Sequence, residues 1–146
     1  MSDPDKYIKE FVDAGADTLI IHTEASNNIE KDLLEIKSRG VKCGLAIKPN
    51  TNEDVLVDFL DILDYVLVMS VEPGFGGQSF IEETLIKMKN IADMREGRDI
   101  LIGVDGGVNV KTIKSVYKTG VDITIVGSGL YKADNIKERY ENLLNV

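Results

Sequence analysis

The sequence predicts an α/β fold built on a parallel sheet, and three observations carry that prediction. Short, almost wholly apolar runs recur along the chain, stretches with apolar residues at helical spacing separate them, and glycine or asparagine marks many of the junctions. A strand buried on both faces has no solvent side, so it reads as a continuous apolar run and not as an alternating one. Strands of that kind interleaved with helices run parallel, in an open sheet covered on both sides or closed into a barrel.

Taken in order, Pro4 and Asp5 precede a first helix that ends near Ala14, and Gly15 turns the chain towards a strand over Thr18–His22. Asn27 or Asn28 caps a second helix carried by Ile29, Leu33, Leu34 and Ile36, and Gly40 ends it before a strand over Val41–Ile47. Thr51-Asn52-Glu53-Asp54 offers a helix start with acid in its first turn, followed by Val55, Leu56, Phe59, Leu60 and Leu63 at helical spacing. A strand over Tyr65–Met69 leads through a glycine-rich turn to a helix beginning near Ile81, then to a strand over Ile100–Val104. Asn109 and Gly120 bracket a helix over 110–119, and the strand Ile123–Val126 closes the series before the C-terminal stretch.

The chain therefore reads as one domain over residues 1–146, a helix followed by five strand–helix units, with no linker, low-complexity tract or charge block. A complete (β/α)₈ barrel needs roughly 250 residues, so the predicted barrel is a partial one. With 17 basic and 25 acidic residues the net charge is −8, which sets the overall field against nucleic acid and anionic membranes. Any phosphate must be held locally. No apolar run has the length of a membrane span, and Met1 to Asp5 lacks the character of a signal peptide, so a cytoplasmic protein is expected. Cys43 is the only cysteine and sits within a strand, which makes it a core residue.

Ligands of parallel sheets gather at the C-terminal ends of the strands, where loops converge. Three glycine-bearing loops follow strands there: Gly74-Phe75-Gly76-Gly77, Gly106-Gly107 and Gly127-Ser128-Gly129. Their unhindered backbone can approach an anion and present N–H groups to it, which accounts for phosphate binding without an arginine cluster. Asp105 ends a strand in front of two glycines. As a general base it can take a proton from carbon beside a carbonyl and afterwards return it. A turn-forming aspartate satisfied by nearby N–H groups is the alternative, and spacing does not separate the two. His22, the only histidine, reads as a structural hydrogen-bonding residue, and Met69 as a packing residue beside the mouth.

The string Val68-Met69-Ser70-Val71-Glu72-Pro73-Gly74-Phe75-Gly76-Gly77-Gln78-Ser79-Phe80 resembles the signature of the ribulose-phosphate 3-epimerase family. His22-Thr23-Glu24-Ala25, Gly44-Leu45-Ala46-Ile47-Lys48-Pro49, Val104-Asp105-Gly106-Gly107-Val108 and Gly127-Ser128 match it too, in order and at compatible spacing, so the resemblance covers essentially the entire chain. It implies a TIM barrel of the ribulose-phosphate-binding type and interconversion of D-ribulose 5-phosphate and D-xylulose 5-phosphate, a step of the pentose phosphate pathway. Carbon 3 is inverted by two aspartates working through an enediolate beside a divalent metal, zinc or iron, with manganese or cobalt as alternatives.

By the resemblance Asp105 is one of these aspartates and a metal ligand. Gly74, Phe75, Gly76, Gly77, Asp105, Gly106, Gly107, Gly127 and Ser128 fall on substrate and phosphate positions, and Met69 lines the pocket. The chain corresponds to the family's strands four to eight; the second aspartate, both metal-binding histidines and a substrate-contacting serine belong to the first three. His22 lies on the fourth strand and takes no metal. The expectation is a chain that keeps the phosphate cradle, does not hold the metal alone and turns over weakly or not at all. Two unpaired sheet edges predict self-association or a complementing N-terminal segment. A non-catalytic phosphate-binding partial barrel, or an epimerase for another ketose phosphate such as allulose 6-phosphate, are the competing readings.

Overall fold

In the computed structural model, which describes residues 3–145, five parallel strands form one sheet in the sequential order β1-β2-β3-β4-β5. They are β1 (Thr18–His22), β2 (Lys42–Ile47), β3 (Tyr65–Met69), β4 (Leu101–Asp105) and β5 (Ile123–Ile125). The helices are α1 (Ile8–Asp13), α2 (Ile29–Ser38), α3 (Thr84–Met94), α4 (Ile113–Tyr117), α5 (Ser128–Tyr131) and α6 (Ile136–Leu144). Met1, Ser2 and Val146 of the expected domain lie outside the described residues.

Register divides the sheet into two faces. Ile47 pairs with Val68, Val68 with Val104 and Val104 with Thr124, while Leu45 pairs with Val66 and Val66 with Ile102. Leu45, Ile47, Val66, Val68, Ile102 and Val104 are all fully buried, together with Leu33 and Ile36 of α2, Met88 of α3 and Val116 of α4. This is the core, and each such side chain contributes about 1.5–3 kcal/mol by leaving water. The opposite face carries Ala46, Leu67, Met69 and Asp105, with Met69 paired to Asp105 and Asp105 to Ile125. Tyr65 lies on this face over Gly103, whose missing side chain leaves the room its ring occupies. At the β4–β5 end the same face is open: Leu101, Ile123 and Ile125 are 39%, 38% and 43% exposed.

The local signals act largely as the chemistry predicts. The Asn28 side chain accepts from Lys31 N and caps α2, and Gly40 (φ 75°) ends it. Cys43 is buried in β2. Two helices depart from expectation. The segment expected as an α-helix through Leu63 is a 3₁₀-helix over Glu53–Phe59, started by Asn52, which accepts from Asp54 N. Val55, Val57, Asp54, Asp58 and Asp61 are poor helix formers, so tertiary burial of Leu56 and Leu63 decides the path. The helix expected over 110–119 is reduced to α4, because Asn109 spends its carbonyl side chain on Lys111 N in a preceding turn.

Candidate active site

The loops at the C-terminal ends of β3, β4 and β5 enclose a cavity of about 340 Å³. Gly74 to Gly77 come from the loop after β3, Asp105 to Gly107 from β4 and its turn, and Gly127 to Gly129 from the start of α5. Met69 lines the floor beside Asp105, its register partner. The glycines, Phe75, Ser128, Asp105 and Met69 singled out in the sequence thus surround one cavity, while His22 lies outside it. Phe75 is at the rim, with 75% of its surface in water, so its ring is not packed against the floor. Val71, Glu72, Pro73, Gln78, Val108, Ile125 and Gly129 line the cavity as well.

The β3 loop is held by Gln78, whose Nε2 donates to the carbonyl oxygens of Glu72 (2.6 Å) and Phe75 (2.9 Å). Glu72 in turn accepts from Asn50 Nδ2 at 3.0 Å, tying this loop to the one after β2. The ammonium of Lys132, just past α5, lies 3.1 Å from where a Cβ on Gly77 would stand. It brings a positive charge to the glycine-rich turn. Because α5 has only four residues, any anion bound here would depend on individual N–H groups and this ammonium far more than on a helix dipole.

Burial raises the Asp105 carboxyl above the ordinary aspartate range, and the Gly106 backbone N–H beside it opposes that rise. A raised value makes the carboxylate a stronger base than an ordinary exposed aspartate. Asp105 thus lines the cavity with the Gly106 backbone N–H beside its carboxyl.

A second cluster stands at the β1–β2 side of the mouth. Glu24 Oε1 accepts from Lys48 N at 3.1 Å and from the Thr51 hydroxyl, and Oε2 lies 3.3 Å from His22 Nδ1. Burial, the largest single influence, would raise the Glu24 carboxyl, but hydrogen bonds, those from Thr51 and the Lys48 backbone foremost, together bring the value down to about 2. The buried Lys87 of α3 donates to the carbonyl oxygens of Lys48 (3.1 Å), Pro49 (2.6 Å) and Thr51. Sequence reasoning missed Lys87, since a lysine on an amphipathic helix reads as a surface residue.

The metal implied by the resemblance does not fit the residues present. Glu72 and Asp105 are the only carboxylates lining the cavity, and among the described residues no group of three or more His, Cys, Asp or Glu side chains converges on a point.

The family model described as the ribulose-phosphate 3 epimerase family matches residues 1–131. The chain belongs to the ribulose-phosphate 3 epimerase family. Curated members include the ribulose-phosphate 3-epimerase of Bacillus subtilis (strain 168), 41% identical over 141 residues, and that of Aquifex aeolicus (strain VF5), 38% identical over 145 residues. The matches take in 94% and 98% of this chain and 65% of each relative, so the chain spans just under two thirds of the length of these family members. Among solved structures, KGPDC from Streptococcus mutans has a TM-score of 0.69 at 19% identity, covering 96% of this chain and 64% of that one. At that identity the likeness is one of fold alone. Among the described residues no helix is long and apolar enough to cross a membrane.

Proposed function

We propose that this chain supplies the phosphate-holding side of an epimerase site for D-ribulose 5-phosphate and D-xylulose 5-phosphate, with Asp105 as one of the two groups that exchange the proton at carbon 3. The observation that carries the reading is the convergence of Asp105 with three glycine-bearing turns on one cavity within a chain of this family.

In this reading the phosphate is bound by N–H groups of the turns at Gly74–Gly77, Gly106-Gly107 and Gly127-Ser128, aided by the Lys132 ammonium. Binding the phosphate at one end fixes the sugar's reach and sets carbon 3 within range of Asp105, which converts proton transfer into an intramolecular step. Partial burial and the apolar floor at Met69 exclude water and keep the carboxyl basic enough to accept the proton. The five strands are assigned to the last five of a TIM barrel of the ribulose-phosphate-binding type. The second proton-transfer group and the remaining ligands of a divalent metal come from outside this cavity. The open face at Leu101, Ile123 and Ile125 is assigned to a second copy or to a complementing N-terminal segment. A cytoplasmic setting suits a sugar-phosphate substrate.

The test is exchange of the C3 hydrogen of D-ribulose 5-phosphate in D₂O, followed by NMR, alongside binding of the same sugar phosphate. Asp105→Asn is expected to lower the exchange rate about 10²- to 10⁴-fold while leaving binding within a few-fold. No binding of the sugar phosphate, or exchange indifferent to the substitution, would overturn the reading.

A further inference from the structure

The turns after β3 and β4 are pressed against each other. A Cβ on Gly106 (φ +121°) would stand 2.5 Å from Val71 Cγ2, and one on Gly107 (φ +65°) 2.5 Å from Phe80 N. The peptide joining the two therefore lies between residues that must be glycine, and glycines do not fix a peptide's orientation by themselves. With no Cβ at either end, the usual side-chain barrier to a flip of this peptide is missing.

Ser70 holds this peptide from beneath. It is fully buried at the end of β3, its N–H donates to the Asp105 carbonyl oxygen at 2.8 Å, and its hydroxyl lies 2.6 Å from the Gly106 carbonyl oxygen and 3.1 Å from that of Asp105. A serine hydroxyl has one proton to donate, and the shorter contact takes it. In a planar trans peptide the C=O and the next N–H point in opposite directions. Tying the Gly106 carbonyl to Ser70 thus turns the Gly107 N–H away from Ser70, and Gly107 lines the cavity.

We propose that Ser70 is a positioning residue that keeps the Gly107 amide aimed at the phosphate of the substrate by holding the Gly106 carbonyl back. The assignment rests on the reading of the cavity as a sugar-phosphate site. Without the hydroxyl, a flip of the 106–107 peptide replaces an N–H donor with a carbonyl oxygen, so the anion loses a hydrogen bond and meets a negative dipole. No contact between Ser70 and substrate is required.

The experiment is a titration of ¹⁵N-labelled protein with inorganic phosphate, comparing wild type with Ser70→Ala and Ser70→Thr. In wild type the Gly107 amide is expected among the resonances phosphate moves most. Ser70→Ala is expected to weaken phosphate binding about tenfold, and at saturation to lose the Gly107 response while the Gly76 and Gly127 amides still move. Ser70→Thr, which keeps the hydroxyl, restores the response. Ser70→Cys, whose thiol is a weaker donor, is expected to weaken phosphate binding and the Gly107 response in the same direction, and carries the test should the alanine variant not fold. Wild-type affinity and an unchanged Gly107 response in Ser70→Ala overturn the proposal, as does a wild-type Gly107 amide indifferent to phosphate while its neighbours respond. If no cavity amide responds in wild type, the phosphate site itself is wrong and the role of Ser70 falls with it.

Discussion

The ammonium nitrogen of Lys87 stands 2.6 Å from the carbonyl oxygen of Pro49, thirty-eight residues earlier in the chain. Carbonyls of Lys48 and Thr51 share the same ammonium, so one buried lysine gathers the loop after β2. Replacing it with methionine leaves three carbonyls without their donor. Lys87→Met is expected to cost about 1–3 kcal/mol in urea unfolding. Amide exchange should quicken across residues 48–51, while β4 keeps its protection.

That loop in turn sets the charge state of Glu24. Its folded value of about 2 lies below the ordinary 4.5, so the carboxylate stabilises the fold above the unfolded value, and that share is lost as pH falls from about 4.5 towards 2. Glu24→Gln removes this component. After allowance for solvent screening, it should be worth about 1 kcal/mol, seen as a flatter acid limb in unfolding measured between pH 5 and pH 2.

Asp105 has the opposite sign. Burial raises its folded value, so the folded state binds the proton more readily than the unfolded one; the group favours folding at low pH and opposes it once pH rises through that value. Asp105→Asn should therefore melt at or above the wild-type temperature at pH 7 while losing proton exchange on the substrate. A variant that melts well below wild type would show the carboxylate to be a structural group.

The Lys132 ammonium beside Gly77 is an exposed charge at the rim, so its contribution should be modest and salt-dependent. Lys132→Met is expected to weaken phosphate binding roughly three- to tenfold at low ionic strength, with the difference shrinking as salt is added. Calorimetric titrations at two salt concentrations check this.

Much of the scaffold was legible because parallel strands declare themselves by unbroken apolar runs: the expected limits of Thr18–His22 and Tyr65–Met69 are those observed. The segment after Asn52 misled because its apolar spacing suits a helix while Val55, Val57 and three aspartates resist one. The cavity's glycines and Asp105 were legible from their position after strands. The groups that hold them were not. Ser70 reaches Gly106 across 36 residues and Lys87 reaches Lys48 across 39, and neither residue type announces such a bond in one dimension. Gln78 and Glu72 lay within a string already singled out, but their bonds depend on how the loop folds back on itself.

The strictly sequential strand order has a consequence for how the molecule is made. Each strand pairs only with those next to it in the chain, so when a strand leaves the ribosome its earlier neighbour is already available. Pairing partners are separated by one strand–helix unit and no more, which limits the loop that must close at each step. The sheet can therefore grow in the direction of synthesis, with β4 and its aspartate docking onto strands laid down before it.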